Sequence, residues 1–307
     1  MAEPPVISIE YQGRVAIITI ANDKKLNALN QQQYFDLAQA LREVATHDEV
    51  FITLLIGKGR YFSAYVSPAF FSHLLSPFLS LRSPDRACCT FARLTSPCSG
   101  ADVTMGRDTP SDRSEQYKQT LQTFVAYNLN ITQAFYAHPK ILVVGLNGPV
   151  VGLSAALTGF ADFVYAAPHA FLLTPFSSIG LVAEGGSSRG LVQRLGVAKA
   201  NEALIMSKRI GVDELVATGY VNKVFDVAKG DDQGFRRLVL QEIDDRLGEH
   251  LVGDSLLGIK ELIRKNERDV LDGQGAREVF AGLQRFMSGV PQEEFRKLAT
   301  GQKRHKL

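Results

Sequence analysis

The sequence lacks a marked excess of charge, an apolar run of membrane length and a recognisable secretory leader. Its 307 residues carry a formal net charge of only +2, which argues against a nucleic-acid-binding surface and an electrostatic membrane anchor. The longest apolar runs are strand-length and interrupted by polar residues, so no transmembrane helix is expected. The N-terminal MAEPPVISIEYQ lacks the basic-then-apolar order of a secretory signal. We expect a soluble intracellular protein with no nucleic-acid or membrane partner.

Cysteine is scarce and confined to one stretch of the chain. The three cysteines are Cys88, Cys89 and Cys98, and an odd, clustered set makes a poor disulfide framework. Their spacing is not that of a zinc site, and His73 would be a weak fourth ligand. We therefore predict no metal site here.

The first sixty residues have the patterns of an α/β fold. Apolar and polar residues alternate along VISIEYQGRVAIITI on both sides of Gln12 and Gly13, which predicts a β-hairpin. The next stretch, NALNQQQYFDLAQALREVATHDEV, spaces apolar residues by three and four, which predicts a helix with Asn30 as its N-cap. FITLLIG is then typical of a buried strand. The order strand, helix, strand favours parallel pairing.

The remaining patterns divide the chain into regions. A long amphipathic helix is predicted from residue 114 to about residue 138, where Pro139 ends it. A buried strand, a short helix, two further strands and a helix capped by Ser187 or Ser188 follow. From about residue 230 onward only helical patterns occur. We therefore predict an α/β core over residues 1–229, a helical region over residues 230–302 and a tail over residues 303–307.

Three short stretches place small residues where a strand passes into a helix: GAD from Gly100, NGPVVGLSAAL from Asn147 and GLVAEGG from Gly180. Backbone N–H groups at such transitions lack intrahelical partners, and two that converge can stabilise a developing oxyanion. Taken alone, GLSAAL favours a tightly packed helix start. Glu184, in the third stretch, is either a partly desolvated base or a surface carboxylate near a helix N-terminus.

In this order and spacing, the hairpin, the helix, FITLLIGKGRYFSA, GAD, NGPVVGLSAAL and IGLVAEGG resemble the crotonase family of enoyl-CoA hydratases and isomerases. The resemblance covers residues 6 to about 225, and it is closest to the peroxisomal Δ3,Δ2-enoyl-CoA isomerases of fungi. It implies a spiral of ββα units followed by a helical C-terminal region that assembles a homotrimer or homohexamer. It also implies an acyl-CoA substrate and no cofactor besides the coenzyme A that the substrate carries.

The resemblance assigns an oxyanion hole to two backbone groups. The N–H of Ala101, which follows Gly100, and the N–H of Leu153, which follows Gly152, would bind the thioester oxygen as it becomes an enolate. Neither assignment depends on the side chain. The two glycines would lie against the bound substrate.

The same resemblance distinguishes isomerisation from hydration. Glu184 would take a proton from C2 of a 3-enoyl-CoA and return it at C4, and Asn128 matches an asparagine that lies near that glutamate. Hydratases of the family use two glutamates, whereas the matching positions here hold Ala156 and Phe176. A dienoyl-CoA isomerase or a hydratase is the alternative, with Asp162 as a possible second carboxylate, although its place in ADFVYAA favours a structural role.

A further matching segment, KKLNALN, implies where coenzyme A is held. In the family the backbone of this segment meets the adenine, which makes Asn27 and Ala28 candidate binding residues. Lys24 and Lys25 would lie near the phosphates, although a basic pair in a surface loop is usually only solvated.

The chain ends in His305, Lys306 and Leu307. This tripeptide resembles a variant of the S-K-L peroxisomal address and would be read by the peroxisomal import receptor. The alternative is a charged, frayed terminus. With a β-oxidation enzyme ahead of it, the address is the favoured interpretation, and we predict a peroxisomal location.

Residues 65–99 interrupt the family pattern. Joining Ala64 directly to Gly100 gives GRYFSAGADV, and the intervening stretch has neither helical nor strand periodicity, which is unusual for so long a loop in a compact domain. Its ends can be encoded by splice-donor and splice-acceptor sequences. We hypothesise a retained intron. If the long form is translated and its site is broken, it would be a non-catalytic acyl-CoA-binding or oligomer partner.

We therefore expect a tryptic digest of the protein from its natural source to contain the peptide YFSAGADVTMGR, as detected by mass spectrometry. A peptide that begins YFSAYVSPAFF would contradict the hypothesis, because it would show that residues 65–99 are translated.

Overall fold

The computed structural model describes residues 5–63 and 112–303, the side chain of Asp23 excepted. The predictions for residues 65–99, for Gly100 and Ala101, and for the tripeptide that ends the chain lie outside the described residues.

A six-stranded sheet forms the centre of the described structure. In spatial order its strands are β1 (Ile7–Gln12), β2 (Val15–Ile20), β3 (Ile52–Gly57), β4 (Ile141–Leu146), β6 (Phe163–Ala166) and β9 (Lys223–Val224). The first two strands pair antiparallel and the others pair parallel. The predicted hairpin is confirmed, with Gln12 opposite Val15 and Gly13 at φ +56°. Parallel pairing of β2 with β3 is confirmed as well.

The two central strands are buried on both faces. Every residue of β3 and β4 is buried, because helices cover both sides of a parallel sheet. Alternate side chains enter different apolar clusters: Leu55 and Val144 enter one, whereas Leu54 and Val143 enter the other. This two-sided burial explains why FITLLIG and ILVVGL show no polar alternation.

A smaller sheet lies where the chain leaves β3. Its strands are β5 (Val150–Val151), β7 (Phe171–Leu173) and β8 (Ile210–Gly211). Ser63 forms a parallel bridge with Val150, and the N–H of Val151 donates to the Ser63 carbonyl over 2.9 Å. The chain after β3 is thereby brought beside the strand that leads into the next helix.

Helices α1 (Gln31–Ala45), α2 (Arg113–Thr120) and α3 (Ala126–Tyr136) follow the predicted patterns. Asn30 caps α1 as predicted, and its side chain accepts from the N–H of Gln33 over 2.9 Å. A π turn over Leu121–Val125 joins α2 to α3. The core also contains α4 (Leu153–Thr158), α5 (Ser187–Leu204) and α6 (Val212–Ala217).

Four helices make up the described chain from residue 232 to residue 299: α7 (Asp232–Leu247), α8 (Gly253–Arg264), α9 (Arg268–Met287) and α10 (Val290–Ala299). Helix α9 packs against α3, with Phe124 of the preceding π turn seated at Gly282. A β-carbon at Gly282 would lie 2.7 Å from that ring, so the close approach requires glycine. No helix in the described ranges is both long and apolar enough to cross a membrane.

A buried charge cluster attaches α8 to the sheet. Asp162 accepts from the N–H of Leu142 over 2.8 Å, from Lys260 over 2.7 Å and from Arg264 over 3.0 Å. Burial alone would raise the pKa of Asp162, but the Lys260 ammonium and these hydrogen bonds hold it below its ordinary value. The carboxylate is therefore ionised and structural, as the sequence interpretation favoured.

Replacing Asp162 by Asn should destabilise the fold, because it leaves Lys260 buried without its counter-charge. We expect the free energy of unfolding to fall by about 3–5 kcal/mol, measured by urea denaturation. Asp254→Asn, at an exposed carboxylate in the first turn of the same helix, is the control and should change stability by less than about 0.5 kcal/mol. Equal effects of the two substitutions would refute a structural role for the cluster.

Candidate active site

Glu184 lies in the loop that leads into α5, and it is 8% exposed. The next two residues, Gly185 and Gly186, have φ of +66° and +70°, which only glycine adopts readily. They also press against other elements. A β-carbon at Gly185 would lie 2.6 Å from Leu153 Cδ1, and one at Gly186 would lie 2.6 Å from the ring of Phe160. The EGG motif therefore brings the carboxylate close to the start of α4.

Asn128 of α3 fixes the direction of this carboxylate. Its Nδ2 donates to Glu184 Oε2 over 3.0 Å, and its Oδ1 accepts from the N–H of Gly185 over 3.3 Å. Asn128 is buried, with 4% of its surface exposed, so it is not a surface residue of the helix. The predicted proximity of the two residues is present, and the catalytic role of each stays a prediction.

The surroundings of Glu184 disfavour its charge. Burial raises the pKa of Glu184 to about 8, the nearby charge of Glu278 adds to the increase, and the hydrogen bond from Asn128 opposes it. A carboxyl group whose pKa lies near neutrality can both accept and return a proton. This is the property that a proton-transfer site requires.

The cap of α5 differs from the prediction. Neither Ser187 nor Ser188 caps the helix with its side chain; Gly186 occupies the N-cap position in a left-handed conformation. The acceptor comes from α9 instead. Glu278 Oε2 accepts from the N–H of Gly186 over 2.7 Å, and Oε1 accepts from the N–H of Ser188 over 2.9 Å and from its hydroxyl. Local sequence carries no signal for this cap, because Gly186 and Glu278 are 92 residues apart.

One half of the predicted oxyanion hole lies in the described structure. Gly152 precedes α4 with φ +68° and ψ −134°, and its own N–H donates to the Leu173 carbonyl over 2.8 Å. Leu153 is the first residue of α4, where N–H groups have no intrahelical acceptor. Gly100 and Ala101, the other half, lie outside the described residues.

A chain of hydrogen bonds that the sequence did not reveal supports the start of α4. The hydroxyls of Tyr34 and Ser154 are 2.9 Å apart, Ser154 donates to Ser63 over 2.9 Å, and Ser63 donates to the carbonyl of Asn27 over 2.9 Å. Burial raises the pKa of Tyr34, and the nearby Glu184 adds to the increase. Tyr34 is therefore neutral, and the chain links α1, α4 and the loop before α1 without adding charge.

The candidate coenzyme A residues Asn27 and Ala28 are both buried. The side chain of Asn27 donates to the carbonyls of Lys58 and Tyr61 over 2.8 and 2.7 Å and accepts from the N–H of Asn22 over 2.7 Å. The Ala28 carbonyl accepts from the Asn22 side chain over 3.1 Å. The side chains of Asn22 and Asn27 therefore hold the loop closed. Contact of Asn27 and Ala28 with coenzyme A stays a prediction.

The two positions that carry glutamates in hydratases are buried in apolar surroundings here. Ala156 is fully buried and Phe176 is 2% exposed. A β-carbon at Gly185 would lie 3.0 Å from the Ala156 side chain, so position 156 faces the Glu184 loop. Neither residue can transfer a proton.

The chain is similar in sequence to several known proteins. The family model described as Enoyl-CoA hydratase/isomerase matches residues 96–243. A Delta(3,5)-Delta(2,4)-dienoyl-CoA isomerase of Pyricularia oryzae is 61% identical, over 98% of this chain and 99% of its own. Two Saccharomyces cerevisiae proteins follow. One, a 3,2-trans-enoyl-CoA isomerase, is 31% identical over 98% of this chain and 96% of its own. The other, a Delta(3,5)-Delta(2,4)-dienoyl-CoA isomerase, is 32% identical over 98% of both.

Solved structures share the fold. An enoyl-CoA hydratase/isomerase from Pseudoalteromonas atlantica superposes with a TM-score of 0.72 at 21% identity, over 99% of this chain and 100% of its own. An enoyl-CoA hydratase from Bacillus halodurans gives a TM-score of 0.73 at 17% identity, over 95% of this chain and 99% of its own. The predicted fold class, an α/β crotonase fold with C-terminal helices, is confirmed.

Burial of Glu184 has a consequence for stability. The pKa rises from 4.5 to about 8 on folding, so between these values the folded protein holds the proton more tightly than the unfolded chain does. Stability is therefore lost as pH rises through this window. We expect Glu184→Gln to melt at the same temperature as the unmodified protein near pH 4.5, and at an increasingly higher temperature up to about pH 8.

The measurement is thermal unfolding by calorimetry at half-unit pH steps. Glu261→Gln, at an exposed position of α8, is the matched control and should follow the unmodified protein throughout. A difference in melting temperature that does not change with pH would show that Glu184 is not held with a raised pKa.

Proposed function

The chain belongs to the enoyl-CoA hydratase/isomerase (crotonase) family, and on that premise we propose that it moves the double bond of 3-cis- or 3-trans-enoyl-CoA to the 2-trans position. It is an enzyme of the enoyl-CoA isomerase branch. The observation that carries the narrower proposal is the buried carboxyl group of Glu184, with a pKa of about 8 and its direction fixed by Asn128.

The proposed reaction needs no external reagent. The ionised Glu184 removes a proton from C2, and the C–H electrons delocalise over C2, C3, C4 and the thioester oxygen as a dienolate. The N–H of Leu153, together with that of Ala101, would stabilise the oxyanion. The protonated Glu184 then delivers the proton to C4, which leaves the double bond between C2 and C3 and restores the thioester. Coenzyme A enters and leaves with the substrate.

Geometry explains why one carboxylate suits this substrate. C2 and C4 are two bonds apart, about 2.5 Å, so one carboxyl group between them reaches both within hydrogen-bonding distance. In a 3,5-dienoyl-CoA one proton must leave C2 and one must be added at C6. These carbons are about 5 Å apart, so a second group is needed as the acid. Within residues 5–63 and 112–303, the carboxylate that acts on Glu184 is Glu278, and both of its oxygens accept from the start of α5.

The second candidate is the conversion of 3,5-dienoyl-CoA to 2,4-dienoyl-CoA. It is favoured by the name of the Pyricularia oryzae relative, which is 61% identical to this chain. Asp162 is not available as its second acid, because it is bound to Lys260 and Arg264.

The two candidates are distinguished by offering 3-hexenoyl-CoA and 3,5-octadienoyl-CoA, each deuterated at C2, and locating the deuterium in the product by NMR. We expect a higher kcat/KM for the monoene, with deuterium transferred to C4. Glu184→Gln should lower kcat by about 10³-fold, whereas Glu261→Gln should leave it unchanged.

Two results would contradict the proposal. Preferred turnover of the diene, with deuterium lost from C2 and hydrogen from the solvent at C6, would establish the second candidate. Near-normal turnover by Glu184→Gln would remove the proposed acid/base altogether.

The proposals for cellular location and assembly rest on the sequence. We propose a role in peroxisomal fatty-acid β-oxidation, with import through His305, Lys306 and Leu307, and assembly as a homotrimer or homohexamer through the helices that follow residue 230. These remain predictions.

A further inference from the structure

Glu278 is a buried carboxylate that the reaction above does not use. It is 5% exposed and lies on α9, in the helical region, yet in the described chain its side chain bonds to the loop and helix that follow Glu184. A carboxylate in such a position needs a physical reason, since burial of an ionisable group is costly unless it is well bonded.

The first reason is that the start of α5 requires an acceptor. Gly186 has no side chain with which to cap the helix, so the first N–H groups would otherwise lack partners. Glu278 supplies acceptors for Gly186 and Ser188, and a negative charge is favoured at this end of a helix. Gln274, one turn earlier on α9, donates to the Ser188 hydroxyl over 2.7 Å and leaves that hydroxyl free to donate to Glu278.

These bonds favour the ionised form of Glu278. Both of its oxygens accept from backbone N–H groups, which can only donate. Among these partners only the Ser188 hydroxyl could accept a carboxyl proton, and it already accepts from Gln274. The pKa of Glu278 is nevertheless raised, because burial outweighs the bonds from Ser188 and Gly186 that oppose the rise.

The second reason is the position of this charge relative to Glu184. The loop is held on one side by Asn128, which bonds Glu184 and the N–H of Gly185. It is held on the other side by Glu278, which bonds the N–H of Gly186. Asn128 of α3 and Glu278 of α9 thus hold the three successive residues 184–186. Together these bonds orient the carboxylate of Glu184.

We propose that Glu278 is a positioning residue for the isomerase reaction, which holds the Glu184 loop through Gly186 and Ser188 and, by its negative charge, sets the pH range in which Glu184 can act as a base. This inference rests on the proposed role of Glu184. It assigns to the helical region a direct influence on the chemistry of the core.

The groups around Glu184 identify Glu278 as the charge that matters. In the described structure, α1 presents Tyr34, whose pKa burial raises, so it is neutral over the working range. Helix α3 presents Asn128, and α4 presents Leu153 and Ala156, none of which titrates. Helix α9 presents Glu278, the charged group that raises the pKa of Glu184.

The test is the pH dependence of kcat/KM for 3-hexenoyl-CoA with two variants. Glu278→Gln removes the charge, and we expect the acid limb of the profile to move to lower pH by about one unit. Glu278→Asp keeps the charge but shortens the side chain. We expect it to keep the unmodified midpoint and to lower kcat about tenfold or more at nearly constant KM.

Glu242→Gln is the matched control. Glu242 lies on α7 and is also buried, with 9% exposed, but it pairs with Lys223 of β9 and with Arg246 of its own helix. We expect this variant to leave the midpoint of the profile unchanged. Calorimetry of each variant shows whether it is folded before its kinetics are compared.

An unmoved acid limb in a folded Glu278→Gln enzyme would overturn the proposal. If that variant does not fold, an unmodified kcat in Glu278→Asp overturns it equally. Glu184→Gln separates this failure from that of the proposed function. If Glu184→Gln is inactive while the Glu278 variants behave normally, Glu184 keeps its role and only the positioning role of Glu278 is lost.

Discussion

Glu184 is buried at a cost to the stability of the folded protein, and the site depends on the contacts that keep it there. Asn128 bonds one carboxylate oxygen, while two left-handed glycines allow the following backbone to reach α4 and Phe160. Neither contact neutralises the charge. Glu278 makes ionisation of Glu184 still less favourable, because it adds a second negative charge nearby. Such an arrangement is poor for stability and useful for proton transfer, which is the usual reason for a strongly perturbed carboxyl group in a protein.

The site is assembled from elements that are distant in the sequence. Helix α1 brings Tyr34, α3 brings Asn128, α4 brings Leu153 and α9 brings Glu278. The parallel sheet makes this possible, because β3 and β4 carry the chain to the same edge and Ser63 pairs there with Val150. The C-terminal helices therefore complete the core in the described chain, whatever contacts they make with other copies of the protein.

Local sequence patterns predicted the elements that depend on local forces. The hairpin at Gly13, the cap at Asn30 and the parallel order of β2 and β3 follow from periodicity, side-chain hydrogen bonding and chain order. The proximity of Asn128 to Glu184 came from family resemblance, since helical spacing alone does not show which residue a buried amide faces. The cap of α5 was wrongly assigned because its acceptor, Glu278, belongs to another region of the chain. The bonds among Tyr34, Ser154 and Ser63 were missed for the same reason, as each joins residues that no short motif connects.

The π turn at Leu121–Val125 bears on how this site tolerates change. A π turn contains one residue more than an α-helical turn, and one residue corresponds to about 100° of rotation around a helix. The turn thus sets the rotation of α2 relative to α3. Side chains along α2 can be exchanged or lost in the course of evolution while α3 keeps its rotation, so that Asn128 continues to face Glu184. Loss of the extra residue would convert the turn into an α-helical one and rotate α2 by about 100° relative to α3.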